Sequence, residues 1–309
     1  MLATLLTSMA SLSSSSASSY RGRLAPSPTG YLHVGHARTF WTAFERARDA
    51  GGTLVMRMED LDPERSRTEY AVAALEDLLW LGIRWQEGPD LGGPFAPYEQ
   101  SRRQAFYLDA WRKLLTGGFL FPCRCSRKDL ESSLSAPHES NLQSDAEQEP
   151  LDDEPVYPGA CRDSEFTASD IAEPGKFNWR FRVPDGEVIE FVDGNLGSQC
   201  FVAGVDFGDF VAWRRDGVPS YQLACVADDA AMKITEVVRG EDLLKSTARQ
   251  ILLYRALSLE TPSWFHCRLV ADSKGRRLAK RHDVLSLRTL RLRGVNPEQI
   301  LLGELPVEA

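Results

Sequence analysis

Between Arg21 and Met58 the chain reads strand, turn, helix, strand, and that succession narrows the choice of folds more than any other feature. Arg21–Ala25 reads as a short strand. It runs into Pro26-Ser27-Pro28-Thr29-Gly30, where proline blocks both a helix and a strand ladder. His33-Val34-Gly35-His36 then opens a helical pattern with Phe40, Phe44 and Ala47 on one face. Thr53–Met58 is strand-like and ends at Glu59-Asp60. Tyr70–Leu81 is amphipathic through Val72, Leu75, Leu78 and Leu79, with Gly82 placed to end it. Arg102–Leu115 is a further helix, with Ser101 as its candidate N-cap and Gly117-Gly118 as its stop. Strands and helices alternating at this spacing predict an α/β fold whose parallel sheet is assembled from βαβ units. Further on, Phe177–Val192 reads as short strands, Phe210–Leu223 as a hairpin turning at Asp216-Gly217, and Thr247–Leu257 as a helix.

Composition sets outer bounds. The chain has 309 residues, 43% hydrophobic and 26% charged, room for one large or two modest domains. No run of 18 apolar residues occurs, so no membrane span is expected. The six cysteines are too sparse and uneven for a secreted disulfide scaffold, which points to a reducing cytoplasm. Met1–Ser19 is serine-rich and uncharged, without the basic region of a signal or transit peptide, and reads as a disordered tail. The net charge of −8 sits in one place. Glu131–Val156 holds eight acids and no Lys or Arg, and removing it leaves 36 acids against 36 bases. That segment has too few apolar side chains to bury a core and reads as a disordered insertion. His266–Arg293, by contrast, holds nine bases and two acids. Phosphate attraction is local, because charges beyond about 10 Å are screened.

Two elements carry phosphate chemistry. A helix N-terminus presents unpaired N–H groups and a positive dipole end, and His33 and His36 stand on one. Gly35 would let a flat nucleotide approach the backbone. A bare His-x-x-His equally describes capping or surface histidines. Lys274-Gly-Arg-Arg-Leu-Ala-Lys280-Arg281 reads as a mobile basic loop whose lysine could close over a triphosphate, or as a basic turn touching RNA.

Taken together the motifs resemble those of the class I glutamyl- and glutaminyl-tRNA synthetases. Arg23-Leu-Ala-Pro-Ser-Pro-Thr-Gly-Tyr-Leu-His-Val-Gly-His36 is similar to their N-terminal signature, with Val34 in place of Ile in the His-Ile-Gly-His pattern. Met58–Pro63, Pro219-Ser220-Tyr221, Val226–Asp229 and Val238–Asp242 follow in the family's order, and Arg277–Arg281 falls where its Lys-Met-Ser-Lys-Ser loop belongs. In that loop Arg277 replaces the first lysine and Ala279 the serine, while Lys280 is kept.

The resemblance implies a Rossmann-type catalytic domain that binds ATP through His33, Gly35, His36 and Lys280, with His33, His36 and Lys280 catalytic and Mg2+ accompanying ATP. It implies L-glutamate held by Arg23, Ala25, Ser27, Glu59, Tyr221 and Arg239. Guanidinium suits the carboxylates, and Glu59 suits the ammonium. It also implies a Zn2+ site. Cys123 and Cys125 with Cys161 on a separate turn can converge on a tetrahedral metal, and Tyr157 resembles the fourth ligand of zinc-bearing members. The expected organisation is a tail (1–19), a first Rossmann half (20–122), an inserted zinc-bearing acceptor-type subdomain (123–195), a second half (196–265) and a basic C-terminal segment (266–309). Only 28 residues follow Arg281, which resembles the stand-alone core of the glutamyl-queuosine tRNA(Asp) synthetases. In that family glutamate is joined to queuosine at the wobble position of tRNA(Asp), and a cytoplasmic monomer is expected. The absence of the family's usual Asn at Cys225 weakens assignment to the ordinary glutamyl enzymes. The alternatives are a glutamyl-tRNA synthetase charging the tRNA 3′ end and a non-catalytic RNA-binding protein.

Overall fold

The computed structural model describes residues 20–125, 156–164, 173–269 and 286–302. The serine-rich tail, the acidic stretch 131–155 and the basic loop containing Lys280 lie outside the described residues. The first half of the chain forms β1 (Arg21–Leu24), α1 (Val34–Asp49), β2 (Thr53–Met56), α2 (Thr68–Trp80), α3 (Gln104–Thr116) and β3 (Leu120–Cys123). The second half forms β4 (Asn178–Phe181), β5 (Val188–Asp193), β6 (Gly197–Val202), β7 (Val211–Trp213), α4 (Tyr221–Ala231), β8 (Glu236–Gly240), α5 (Leu244–Ala256), β9 (Ser263–Cys267), α6 (Leu287–Leu292) and α7 (Pro297–Leu302).

Two βαβ units organise the molecule, the first of them the one that the alternation predicts. β1 and β2 pair in parallel across α1, with Arg21 opposite Thr53 and Leu24 opposite Met56. β8 and β9 pair in parallel across α5, with Arg239 opposite His266. The units join where the Thr235 N–H donates to the Arg21 carbonyl (2.9 Å) and the Arg21 N–H to Thr235 Oγ1 (2.8 Å). α1 lies close on this surface because the residues it buries are mostly alanines (Ala37, Ala43, Ala47), with Phe40 and Phe44 half-buried beside them. β5 joins β9 in parallel and carries β6 antiparallel, so the second sheet is mixed. A separate antiparallel sheet, β3–β4–β7, closes over Trp111, Trp179 and Trp213.

Three local expectations are corrected. α2 does not bury Val72 and Leu79, which are 47% and 39% exposed; it buries Ala73, Ala74, Asp77 and Leu78. The helix is turned so that Asp77 meets Arg291 (3.3 Å) and Glu76 meets Arg288 (2.6 Å) on α6. Ser101 does not cap α3, because its hydroxyl is drawn to Asp60 Oδ2 (2.7 Å), and the helix begins after Arg103. The Asp216-Gly217 turn forms, with Gly217 at φ 86°, but the returning arm keeps only the Trp213–Pro219 bridge. Ser220 then caps α4 by accepting from the Leu223 N–H, so Tyr221–Leu223 are helical.

Candidate active site

The carboxyl ends of β1, β2 and β8 stand together, the edge at which open α/β sheets bind ligands. Past β1 the Leu24 carbonyl accepts from the Arg57 N–H (2.8 Å) and the Pro26 carbonyl from the Glu59 N–H (2.9 Å). The proline-rich turn thereby holds half-buried Ala25 and exposed Ser27 beside Glu59. Of Glu59, Asp60 and Asp62, only Glu59 joins Arg57 and Cys225. Asp60 bonds Ser101, and Asp62 caps its own turn through the Glu64 and Arg65 N–H groups.

Glu59 rests on a buried charge network. Arg57, fully buried, donates to Glu59 Oε1 (3.0 Å) and to Asp229 Oδ1. Burial works against its charge, but the Asp229 and Glu59 carboxylates outweigh that cost and raise its pKa well above the ordinary value. The Cys225 thiol donates to Glu59 Oε1 (3.5 Å), and burial, then the Glu59 charge, pushes its pKa far up. Asp228, one residue before Asp229, accepts from Gln100, Arg103 and Tyr107 and ties α4 to α3. Arg23, 4% exposed, donates through Nη1 to the Val238 carbonyl (2.9 Å) and lies 3.5 Å from Asp229 through Nε.

Arg239 closes the cleft from β8. Its guanidinium donates to Gln250 Oε1 (2.9 Å), Thr247 Oγ1 (2.6 Å), His266 Nε2 (3.2 Å) and the Tyr221 hydroxyl (3.4 Å), and it lies 4.9 Å from the Trp264 ring centroid. Arg23 and Glu59 are tied together through Asp229 and Arg57, and Arg239 bonds Tyr221 on α4, the helix whose Cys225 bonds Glu59.

The two motif histidines are a helix cap. His33 occupies the N-cap of α1, its Nδ1 accepting from the Gly35 N–H (3.1 Å), while His36 Nδ1 accepts from the His33 N–H (3.3 Å). Their rings stack with centroids 3.7 Å apart. Both neutral rings therefore carry the proton on Nε2, the atom able to donate to a phosphate oxygen. Gly35 earns its place here: a Cβ would lie 2.9 Å from His33 Cε1. The capping and phosphate readings of these residues are thus compatible. Ser286, the first described residue after the basic loop, bridges to His33, and the Leu287 N–H donates to the Leu32 carbonyl (2.7 Å). At the loop's other end the Leu269 N–H donates to Glu241 Oε1 (2.8 Å), just past the β8–β9 pair. Lys280 itself lies outside the described residues.

Away from the cleft, the Cys123, Cys125 and Cys161 sulfurs all lie within 4.8 Å of one another and could hold a metal ion. The Tyr157 hydroxyl stands 3.4 Å from Cys123 Sγ and 3.7 Å from Cys125 Sγ, and the Cys125–Cys161 sulfurs are 3.6 Å apart.

The sequence reading assigned no role to Arg57, Asp193, Thr247, Gln250 or His266. Two left a signal. Arg57 interrupts the apolar run Leu54-Val-Met-Arg-Met, and His266 the run Trp264-Phe-His-Cys, where a charged or polar side chain must be buried and partnered.

The parallel βαβ pairs, with a capped helix following β1, define an α/β domain. The chain belongs to the class I tRNA synthetases (E and Q), whose catalytic domain matches residues 19–303. It is 47% identical over 279 residues to a glutamyl-Q tRNA(Asp) synthetase of Nitratidesulfovibrio vulgaris, covering 89% of this chain and 82% of that one. A glutamyl-Q tRNA(Asp) synthetase of Symbiobacterium thermophilum is also 47% identical, with 91% and 84% covered. The crystal structure of the glutamate-tRNA synthetase of Elizabethkingia anophelis superposes with a TM-score of 0.71 at 28% identity over 85% of this chain. The chain spans about half (52%) of that synthetase. Among the described residues no helix is long and apolar enough to cross a membrane.

Proposed function

We propose that this chain joins L-glutamate to ATP as glutamyl-adenylate and transfers the glutamate to queuosine at the wobble position of tRNA(Asp). The observation that supports the activation step is the linkage of Arg23 and Glu59 through Asp229 and Arg57, with Arg239 bonded to Tyr221 on the helix whose Cys225 bonds Glu59. Glu59 receives the substrate ammonium, and the guanidiniums of Arg23 and Arg239 receive its carboxylates. A dicarboxylate matches two cations where an amide would leave one charge unmatched. The substrate carboxylate attacks the α-phosphorus of ATP in line, and pyrophosphate leaves. The protein's part is placement and charge stabilisation: His33 and His36 donate from Nε2, and Lys280 neutralises the leaving group. Mg2+ enters with ATP and shields its phosphate charge. The queuosine acceptor rests on the two relatives at 47% identity, of whose lengths this chain covers 82% and 84%.

The cysteine cluster fits zinc as a structural ion. A tetrahedral site with Zn–S near 2.3 Å places sulfurs about 3.8 Å apart and a phenolic oxygen about 3.5 Å from each sulfur. The observed 3.6 Å between Cys125 and Cys161, and 3.4 and 3.7 Å to Tyr157, agree. Cys123, Cys125, Cys161 and Tyr157 would hold the ion, pinning β3 to the turn at 157–161.

The test is glutamate-dependent ATP–pyrophosphate exchange without tRNA, followed by locating labelled glutamate on tRNA(Asp) with and without queuosine. Exchange without tRNA and label on the queuosine base support the proposal. A strict tRNA requirement with label on the 3′ end favours the second reading, an ordinary glutamate–tRNA ligase core, which the 0.71 superposition supports. No exchange with glutamate, either with or without tRNA, overturns both.

A further inference from the structure

Arg239 spends four of its five N–H groups on protein acceptors, and one of these is a histidine ring. The arrangement behind it is built as one unit. β8 and β9 run in register so that Arg239 and His266 are direct partners, and Asp193 lies at the end of β5 opposite Trp264. Asp193 and His266 have no exposed side-chain surface. The Asp193 carboxylate accepts from the Asn195 N–H (3.0 Å), the Leu196 N–H (2.9 Å), the His266 N–H (3.1 Å) and His266 Nδ1 (2.6 Å). A carboxylate so placed can only accept, so the imidazole proton sits on Nδ1. His266 Nε2 is left with its lone pair facing the Arg239 Nε–H, and it lies 3.0 Å from the Thr247 hydroxyl.

A protonated ring would turn an N–H toward a guanidinium, and burial, then Arg239, opposes that state, pushing the His266 pKa down to about 4. On its other side Arg239 is again the donor. Arg239 Nη1 donates to the Tyr221 oxygen, which leaves the Tyr221 proton to be donated onward.

We propose that His266, held by Asp193 as the neutral Nδ1–H tautomer, is a positioning residue that orients Arg239 and, through it, Tyr221, so that the amino-acid cleft presents donors to a substrate carboxylate. Arg239 then donates in two directions, to His266 and through it toward Asp193, and to Tyr221, whose own proton points onward; an acidic side chain is preferred over its amide because the latter brings donors of its own. This assignment rests on the glutamate-activation reading for its kinetic consequence but not for its tautomer.

Two measurements on the full chain separate them. Nitrogen-15 NMR at pH 7, with His266 identified by its loss in His266→Gln, is expected to show a neutral ring protonated on Nδ1. An Nε2–H or a charged ring overturns the inference. In ATP–pyrophosphate exchange, His266→Leu leaves a buried Arg239 donor unsatisfied and is expected to raise the glutamate KM on the order of tenfold or more, with kcat and the ATP KM little changed. It also lowers the preference for glutamate over glutamine. His266→Gln, whose Oε1 can accept where Nε2 did, restores most of the affinity. Equal losses in the two variants, or an ATP KM raised as much as that for glutamate, overturn the positioning role. Absence of glutamate-dependent exchange in the unmodified protein strikes the proposed function instead, while the NMR result still decides the tautomer.

Discussion

The two ends of the cleft are built on different scales. At the proposed phosphate end His33, Gly35 and His36 hold one another within four residues of chain, as a cap on α1. At the proposed amino-acid end Arg57 reaches across 172 residues to Asp229, and Arg239 is gripped by side chains from α4, α5 and β9. A local device can lose a member and leave the fold standing, whereas a buried network of distant charges is part of what holds the fold together.

That contrast can be broken most sharply at Arg57. Replacing it by leucine leaves the inner oxygen of Glu59 without its guanidinium and Asp229 with Arg23 alone, 3.5 Å away, and should cost about 3–5 kcal/mol of stability, read from urea unfolding. A loss under about 1 kcal/mol would mean the network is not structural. The converse variant is His36→Ala, expected to slow glutamate activation by about 10²–10³-fold. Its stability should fall by only about 1 kcal/mol. Destabilisation as large as that of Arg57→Leu would erase the distinction.

Acid should weaken the amino-acid end first. The unfolded chain takes up a proton on His266 below its ordinary value of 6.5, and the folded chain refuses it until about 4. Stability is therefore complete above that window and falls as pH drops through it, by about 3 kcal/mol. Asp193, held below the ordinary carboxylate range by His266 and two loop N–H groups in spite of its burial, adds a loss of the same sign lower down. Guanidinium midpoints at pH 7 and 4.5 should converge in His266→Gln; an unchanged gap would absolve His266. The smallest effect belongs to Ser286→Ala. Losing the N-cap of α6 should cost about 1 kcal/mol and show as faster hydrogen exchange in Leu287–Leu292, with β8 and β9 untouched.

The same difference of scale decided what could be read from sequence. His33–His36, the proline turn and the βαβ order are local patterns, and they were legible. Glu59, Tyr221 and Arg239 were picked out only through resemblance to a family, and their roles are proposed. Arg57, Asp193 and His266 were not picked out, because what makes them matter is a partner on another strand. α2 shows the failure in miniature: its apolar spacing pointed to Val72 and Leu79, and the actual inward face was chosen by the arginines of α6, more than 200 positions away.

One consequence follows from the pairing of β8 with β9. Successive side chains on a strand point to opposite sides, so the meeting of Arg239 with His266 is a matter of parity. A single-residue insertion anywhere between Glu236 and Arg239 would swing the arginine out of the cleft while leaving every residue of the site present in the chain. The site thus has a reading frame of its own, written in strand register instead of codons, and a frameshift there would silence it without deleting a letter.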